Sequence, residues 1–110
     1  MDELIPGKPV ERLFPFVLRA RLLVVGADNA HRRRSSLQFV LITKDLSPKS
    51  REKLLADFSP VPVIERYSSA DLDTYFGIKG AKVVGFKKSS LARSIYGELK
   101  KNLPQPPPGS

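Results

Sequence analysis

The side chains best able to do chemistry in this chain are cations, and they are unevenly placed. Residues 18–34 carry five Arg (Arg19, Arg21, Arg32, Arg33, Arg34) against one acid, Asp28, for a local charge of +4. Residues 79–101 carry seven basic residues (Lys79, Lys82, Lys87, Lys88, Arg93, Lys100, Lys101) against Glu98, for +6. Residues 45–78 lie between them with four basic residues and six acids. The net charge of +8 and the pI near 10.1 over 110 residues therefore come from two segments far apart in sequence. An Arg guanidinium is a planar fork that matches phosphate or a base edge, whereas a Lys ammonium is a compact point charge. Concentrated as they are, these groups point to a polyanion partner, with nucleic acid ahead of an acidic membrane.

The catalytic inventory is poor by comparison. His31 is the only histidine and there is no cysteine, so a two-histidine metal site, a thiolate zinc site and a cysteine nucleophile are all excluded. No serine stands in a G-x-S-x-G elbow. Neither G-x-x-x-x-G-K-[ST] nor G-x-G-x-x-G occurs. Asp71 and Asp73 are two apart, a spacing that does not bring side chains together on a helix. The expectation is a non-catalytic protein with no cofactor and no metal. No apolar run reaches the about 18–20 residues of a membrane-spanning helix. The acidic start Met1-Asp2-Glu3 is neither a signal nor a transit peptide. Together with the absence of cysteine, this leads to the expectation of a cytoplasmic, monomeric protein.

The elements that must position the cations follow from apolar spacing. Val10, Leu13, Phe14 and Val17 keep helical spacing, with a start or kink at Pro15. Leu22-Leu23-Val24-Val25 is a short buried strand closed by Gly26, and Asp28 or Asn29 is a natural N-cap for the next helix. Leu37 to Thr43 is the strongest strand signal and is expected at the centre of a sheet covered on both faces. Ser47-Pro48 opens a helix whose apolar face would be Leu54, Leu55 and Phe58. Val61 to Ile64 is a strand that Pro62 confines to its start or to a sheet edge. Ser68-Ser69-Ala70-Asp71 matches a capping box, Leu72, Tyr75 and Phe76 pack inward, and Gly77 ends the helix. Lys82 to Phe86 is the fourth strand. Ser89 or Ser90 caps a last helix with Leu91, Ala92, Ile95 and Leu99 on one face. Strict alternation with short connections predicts an α/β fold. It is a three-layer α/β/α sandwich, with a four-stranded mixed sheet and helices on both faces. One domain spans residues 10–101, preceded by an irregular lead-in (1–9) and followed by a Pro-rich, disordered tail (102–110).

In their order, these segments resemble the kink-turn-binding ribosomal protein family. Its members include the archaeal "seven-Ae" and eukaryotic "thirty-e" large-subunit proteins and short bacterial homologues. Leu13 to Gly26 resembles the family's first helix, first strand and glycine; Leu37 to Asp45 resembles the central strand and acidic turn. Ser47 to Leu55, Val61-Pro62-Val63, Ser69 to Gly77 and Lys82 to Leu99 resemble the segments that follow. The resemblance implies the same sandwich. It also implies that structured RNA, ribosomal or other, is held by two loops meeting on one face, here residues 26–33 and 86–90. The two cationic segments would then form one continuous patch.

Residue by residue, Gly26 keeps the family glycine and Ala27 follows it. Asp28 and Asn29 supply a carboxylate and an amide in swapped order for base edges. His31 and Arg32 stand at a Thr-Lys pair, Arg33 extends the charge, and Lys87, Lys88 and Ser89 form the second loop. Arg21 replaces a glycine common in the family, and the span from Gly26 to Asp45 is about two residues short, which predicts a short second helix. Ribosomal proteins are further candidate partners. The alternative reading is a ribosome-associated or adaptor protein-interaction module of the same fold without kink-turn specificity.

Overall fold

A computed structural model describes residues 10–101; the expected lead-in and Pro-rich tail lie outside the described residues. A 3-10 turn, Val10–Leu13, leads into α1 (Phe14–Arg19), where Pro15 sits in the first turn and loses no helical hydrogen bond. There follow β1 (Leu23–Val25), α2 (Ala27–Arg32), a 3-10 turn (Arg34–Ser36), β2 (Leu37–Ile42) and α3 (Pro48–Phe58). The chain continues through β3 (Val63–Glu65), α4 (Ser69–Phe76), β4 (Val83–Lys87) and α5 (Ser90–Lys101). This is the predicted alternation, with the predicted short second helix. Among the described residues no helix is long and apolar enough to cross a membrane.

Local chemistry sets most boundaries as expected. Ser47 caps α3 by accepting from Ser50 N at 3.2 Å. Ser68 and Asp71 form a reciprocal capping box on α4, and Gly77 ends that helix in the left-handed conformation (φ 70°). Ser89 Oγ accepts from Ala92 N at 2.9 Å and so caps α5. Two expectations need correction. Asp28 and Asn29 lie inside α2, whose N-cap is Gly26 at φ 96°, because the chain leaves β1 through a conformation that glycine alone adopts without strain. Leu55 is 41% exposed, because α3 turns only Leu54 and Phe58 toward the core.

The sheet order is β1-β4-β2-β3, with β4 antiparallel to both neighbours and β2 parallel to β3. Side-chain alternation divides the core between the two faces. Phe39, Leu41, Val84 and Phe86 face α1, α4 and α5, where they meet Phe14, Val17, Leu72, Phe76, Ile95 and Leu99. Val40, Ile42, Val24 and Val83 face α2 and α3, where they meet Ala30 and Phe58. Each fully buried Leu or Phe contributes about 1.5–3 kcal/mol. A bulge between Leu37 and Phe39 puts Leu37 on the α2–α3 face, out of step with Phe39 and Leu41. Leu37 fills the space above Gly85, where an added Cβ would lie 2.7 Å from Leu37 Cδ1.

This topology gives the sheet two distinct ends. At one, Gly26 N donates to Val83 O at 2.8 Å; at the other, Lys87 N donates to Leu22 O at 2.8 Å and Lys88 N to Ser36 O at 2.9 Å. Lys88 follows Val83 by five residue steps, about 16 Å at the rise of a strand.

Candidate nucleic-acid interface

The first end holds an open groove of about 830 Å³ between α2 and α3, bounded by the connection that enters β4. Its floor is apolar: Leu46, Leu54, Val83 and Phe58, with the His31 ring edge-on to Phe58 at 5.9 Å. Its rim is charged, with Asp28 and Arg32 on α2, Lys53 and Asp57 on α3, and Lys82 beside Gly80 and Ala81. Lys53 and Asp57 form an i,i+4 pair at 2.7 Å, which raises the lysine and lowers the carboxyl from their ordinary pKa values. The site thus combines an apolar floor with polar groups of both signs at its edge.

Each α2 side chain has a separate task. Asn29 Nδ2 donates to Val25 O at 3.1 Å, and its Oδ1 accepts from Arg32 Nη2 at 2.5 Å. Its amide therefore ties the helix to β1 and holds the Arg32 guanidinium, and both ends of the amide are engaged. Asp28 is exposed and makes no hydrogen bond to the described residues. Its charge reaches Lys53 across the groove and adds to the raising of that lysine. Arg34 Nη1 donates to His31 O at 2.8 Å, which closes the C-terminal end of α2. Arg33 is exposed and belongs to no ion pair among the described residues. Gly26 has nothing within 4 Å of an added Cβ, so the residue is demanded by its φ of 96° and not by close approach.

The expected meeting of residues 26–33 with residues 86–90 is not what the structure shows. Because β4 runs antiparallel to β1, Lys87, Lys88 and Ser89 lie at the other end of the sheet from Gly26, Ala27, Asp28 and Asn29. The groove is completed instead by Gly80, Ala81 and Lys82. The contact to the second loop comes instead from the 3-10 turn after α2, where Ser36 O accepts from Lys88 N. Sequence reasoning counted Lys82 in the cationic total without assigning it to the site. The glycine at position 80 (φ 73°), beside two lysines, was the available signal for a turn there. Tyr67, Tyr75 and Phe76 pack with Phe14 in the core, as expected of Tyr75 and Phe76. Among the described residues no three His, Asp or Glu side chains gather as metal ligands.

No family model matches the sequence, and no curated protein matches it. Solved structures do share the fold. A protein of unknown function from Bacillus halodurans superposes with a TM-score of 0.75 at 20% identity, covering 83% of this chain and 96% of that one. The Giardia lamblia 15.5kD RNA binding protein superposes with a TM-score of 0.62 at 18% identity, covering 81% of this chain and 79% of that one. At these identities the likeness establishes the α/β/α fold, which an RNA-binding protein is thus able to adopt.

Proposed function

We propose that this chain is a non-catalytic RNA-binding protein that recognises a structured RNA, of kink-turn type, at the groove end of its sheet. The observation that carries the reading is the groove itself. It sets an exposed, unbonded carboxylate, Asp28, beside a guanidinium held in place by Asn29 and an ammonium, Lys82, around an apolar floor. A carboxylate accepts from the ring N–H and amino group of guanine, which discriminates among bases; the cations neutralise phosphate, which does not. Gly26 and Ala27 deliver the helix to the groove, His31 lines its floor, and Arg32 and Arg33 carry the charge along α2. The fold shared with a Giardia RNA binding protein supports the same reading. Ribosomal RNA is one RNA of this class, and ribosomal proteins would then be neighbours in the same particle.

The test is a gel shift of a kink-turn hairpin against a plain duplex of equal length at two salt concentrations. The kink-turn should bind more tightly at both. Lys82→Ala should weaken both RNAs alike and reduce the logarithmic salt slope by about 0.7–0.9. Equal binding of the two RNAs removes the structural specificity, and binding of neither removes the RNA reading.

A further inference from the structure

The second end of the sheet differs in kind from the groove end. Four connections meet there: residues 20–22, 33–36, 59–62 and 87–89. They contain Arg21, Arg33, Arg34, Lys87 and Lys88 and no acidic residue. The connections at the groove end are mixed, with Asp45 among Lys44, Arg66, Lys79 and Lys82. Among the described residues the ion pairs join Arg12 to Glu98, Arg51 to Glu65 and Lys53 to Asp57, and none involves a cation of the second end. Backbone bonds hold these loops together: Lys87 N to Leu22 O, Lys88 N to Ser36 O, and Ser36 N to Arg33 O at 2.8 Å. The charges therefore sit on a common frame.

Arg21 adds an independent observation. It stands in the left-handed region at φ 56°, where a side chain costs about 1–2 kcal/mol relative to glycine. Its N donates to Leu18 O at 3.1 Å in the turn between α1 and β1, and its side chain is exposed and outside any ion pair among the described residues. Among the described residues no ion pair of its side chain offsets that strain. A cation standing at a position suited to glycine points to work done by the charge.

We infer that Arg21, Lys87 and Lys88 form a second, separate phosphate-binding surface that grips the backbone of an RNA stem while the groove reads the structured element. The inference rests on the RNA reading given above and extends it from one contact to two, about 16 Å apart along β4. The division of labour is chemical. The groove, with a carboxylate on its rim, discriminates; the loops of the second end, which contain no acidic residue of their own, supply affinity that is indifferent to sequence.

The experiment compares the wild-type chain with the triple variant Arg21→Gly/Lys87→Gln/Lys88→Gln. Because Arg21→Gly relieves strain, urea denaturation should show the variant to be at least as stable as the wild type. The probes are one kink-turn hairpin RNA with a terminal stem of 6 or of 18 base pairs, chosen on the order of half a turn and one and a half turns of duplex. The wild type should bind the long-stem RNA at least about tenfold more tightly than the short one. The variant should lose that gain, keep its affinity for the short-stem RNA within about twofold, and show a salt slope on the long RNA lower by about 2–3. Equal loss on both RNAs means a single surface and overturns the inference. So does a variant indistinguishable from wild type on both, or one that loses binding only to polyglutamate, which would mark an acidic protein as the partner. If the wild type binds neither RNA, the RNA reading itself fails and the inference falls with it; if it binds the short RNA but gains nothing from the stem, only the inference falls.

Discussion

Asp28 and Asn29 are neighbours on one turn of α2, yet the structure gives them opposite jobs, and substituting each by Ala should separate the two. Asn29 makes two hydrogen bonds, to Val25 O and from Arg32 Nη2. Both are exposed, and a typical bond contributes about 0.5–1.5 kcal/mol net, so Asn29→Ala should lower stability by about 1–2 kcal/mol. It should also release the Arg32 guanidinium and so weaken binding to all RNAs by a similar factor. Asp28 makes no hydrogen bond to the described residues and is exposed, so Asp28→Ala should change stability by no more than about 0.5 kcal/mol. If its carboxylate reads a base edge, its loss should reduce discrimination by about 1–3 kcal/mol, or about five- to 150-fold in the ratio of two affinities. Urea denaturation of both variants and competition gel shifts with kink-turn and duplex RNA supply the four numbers. The reasoning is refuted if Asn29→Ala leaves stability unchanged and alters discrimination, because the amide would then be a base reader and not a strut.

Three further outcomes follow from the packing and the charges. Gly85→Ala drives a Cβ to 2.7 Å from Leu37 Cδ1 in the sealed α2–α3 layer and should cost about 1–3 kcal/mol; in a Leu37→Ala background the same change should cost almost nothing, a coupling that a double-mutant denaturation cycle measures. Asp45 is held down at about 2 by the neighbouring Thr43 hydroxyl and by Ser69, whose Oγ donates to it at 2.7 Å. The buried Thr43 hydroxyl makes no hydrogen bond to the described residues, and Ser69 holds the carboxylate through its backbone N as well, which donates to Asp45 Oδ2 at 3.3 Å. A carboxyl lowered in the folded state stabilises above its unfolded value of 3.8 and loses that effect as pH falls toward 2. The stability difference between wild type and Asp45→Ala should therefore be constant above pH 5 and narrow between about pH 4 and 2, read from urea midpoints. Tyr67 is held protonated by burial and by its hydrogen bond to Glu11, so its absorbance should show no phenolate transition until the chain unfolds in alkali, whereas Tyr67→Phe should lower stability by about 1–2 kcal/mol.

What sequence made legible is what short-range chemistry determines. Ser47-Pro48, the Ser68–Asp71 box and Gly77 announce their helices because caps involve residues three or four apart. The run from Leu37 to Ile42 announces a central strand because both of its faces are buried. Strand order and direction are a different matter. That β4 inserts between β1 and β2, antiparallel to both, depends on pairings of residues some sixty and forty-five apart, for which no local pattern exists. This placement carries Lys87 and Lys88 away from Gly26 and brings Lys82 to it, so the groove's second wall was illegible although Lys82 was already counted among the cations. The two hydrogen bonds of Asn29 were illegible for a related reason: its amide suits a base edge, and no local pattern announces that Val25 O and Arg32 engage it. Gly26 was legible as a turn and not as a cap, because a glycine cap works through φ and leaves no side-chain signature.

The central claim, that RNA is seated in the groove between α2 and α3, is tested most directly by ultraviolet crosslinking of the wild-type protein to a kink-turn RNA, with the crosslinked peptides mapped by mass spectrometry. The account predicts crosslinks within residues 26–33 and 80–82, lost when duplex competitor is replaced by excess unlabelled kink-turn RNA. Crosslinks confined to α4 and α5 on the opposite face of the sheet would contradict it.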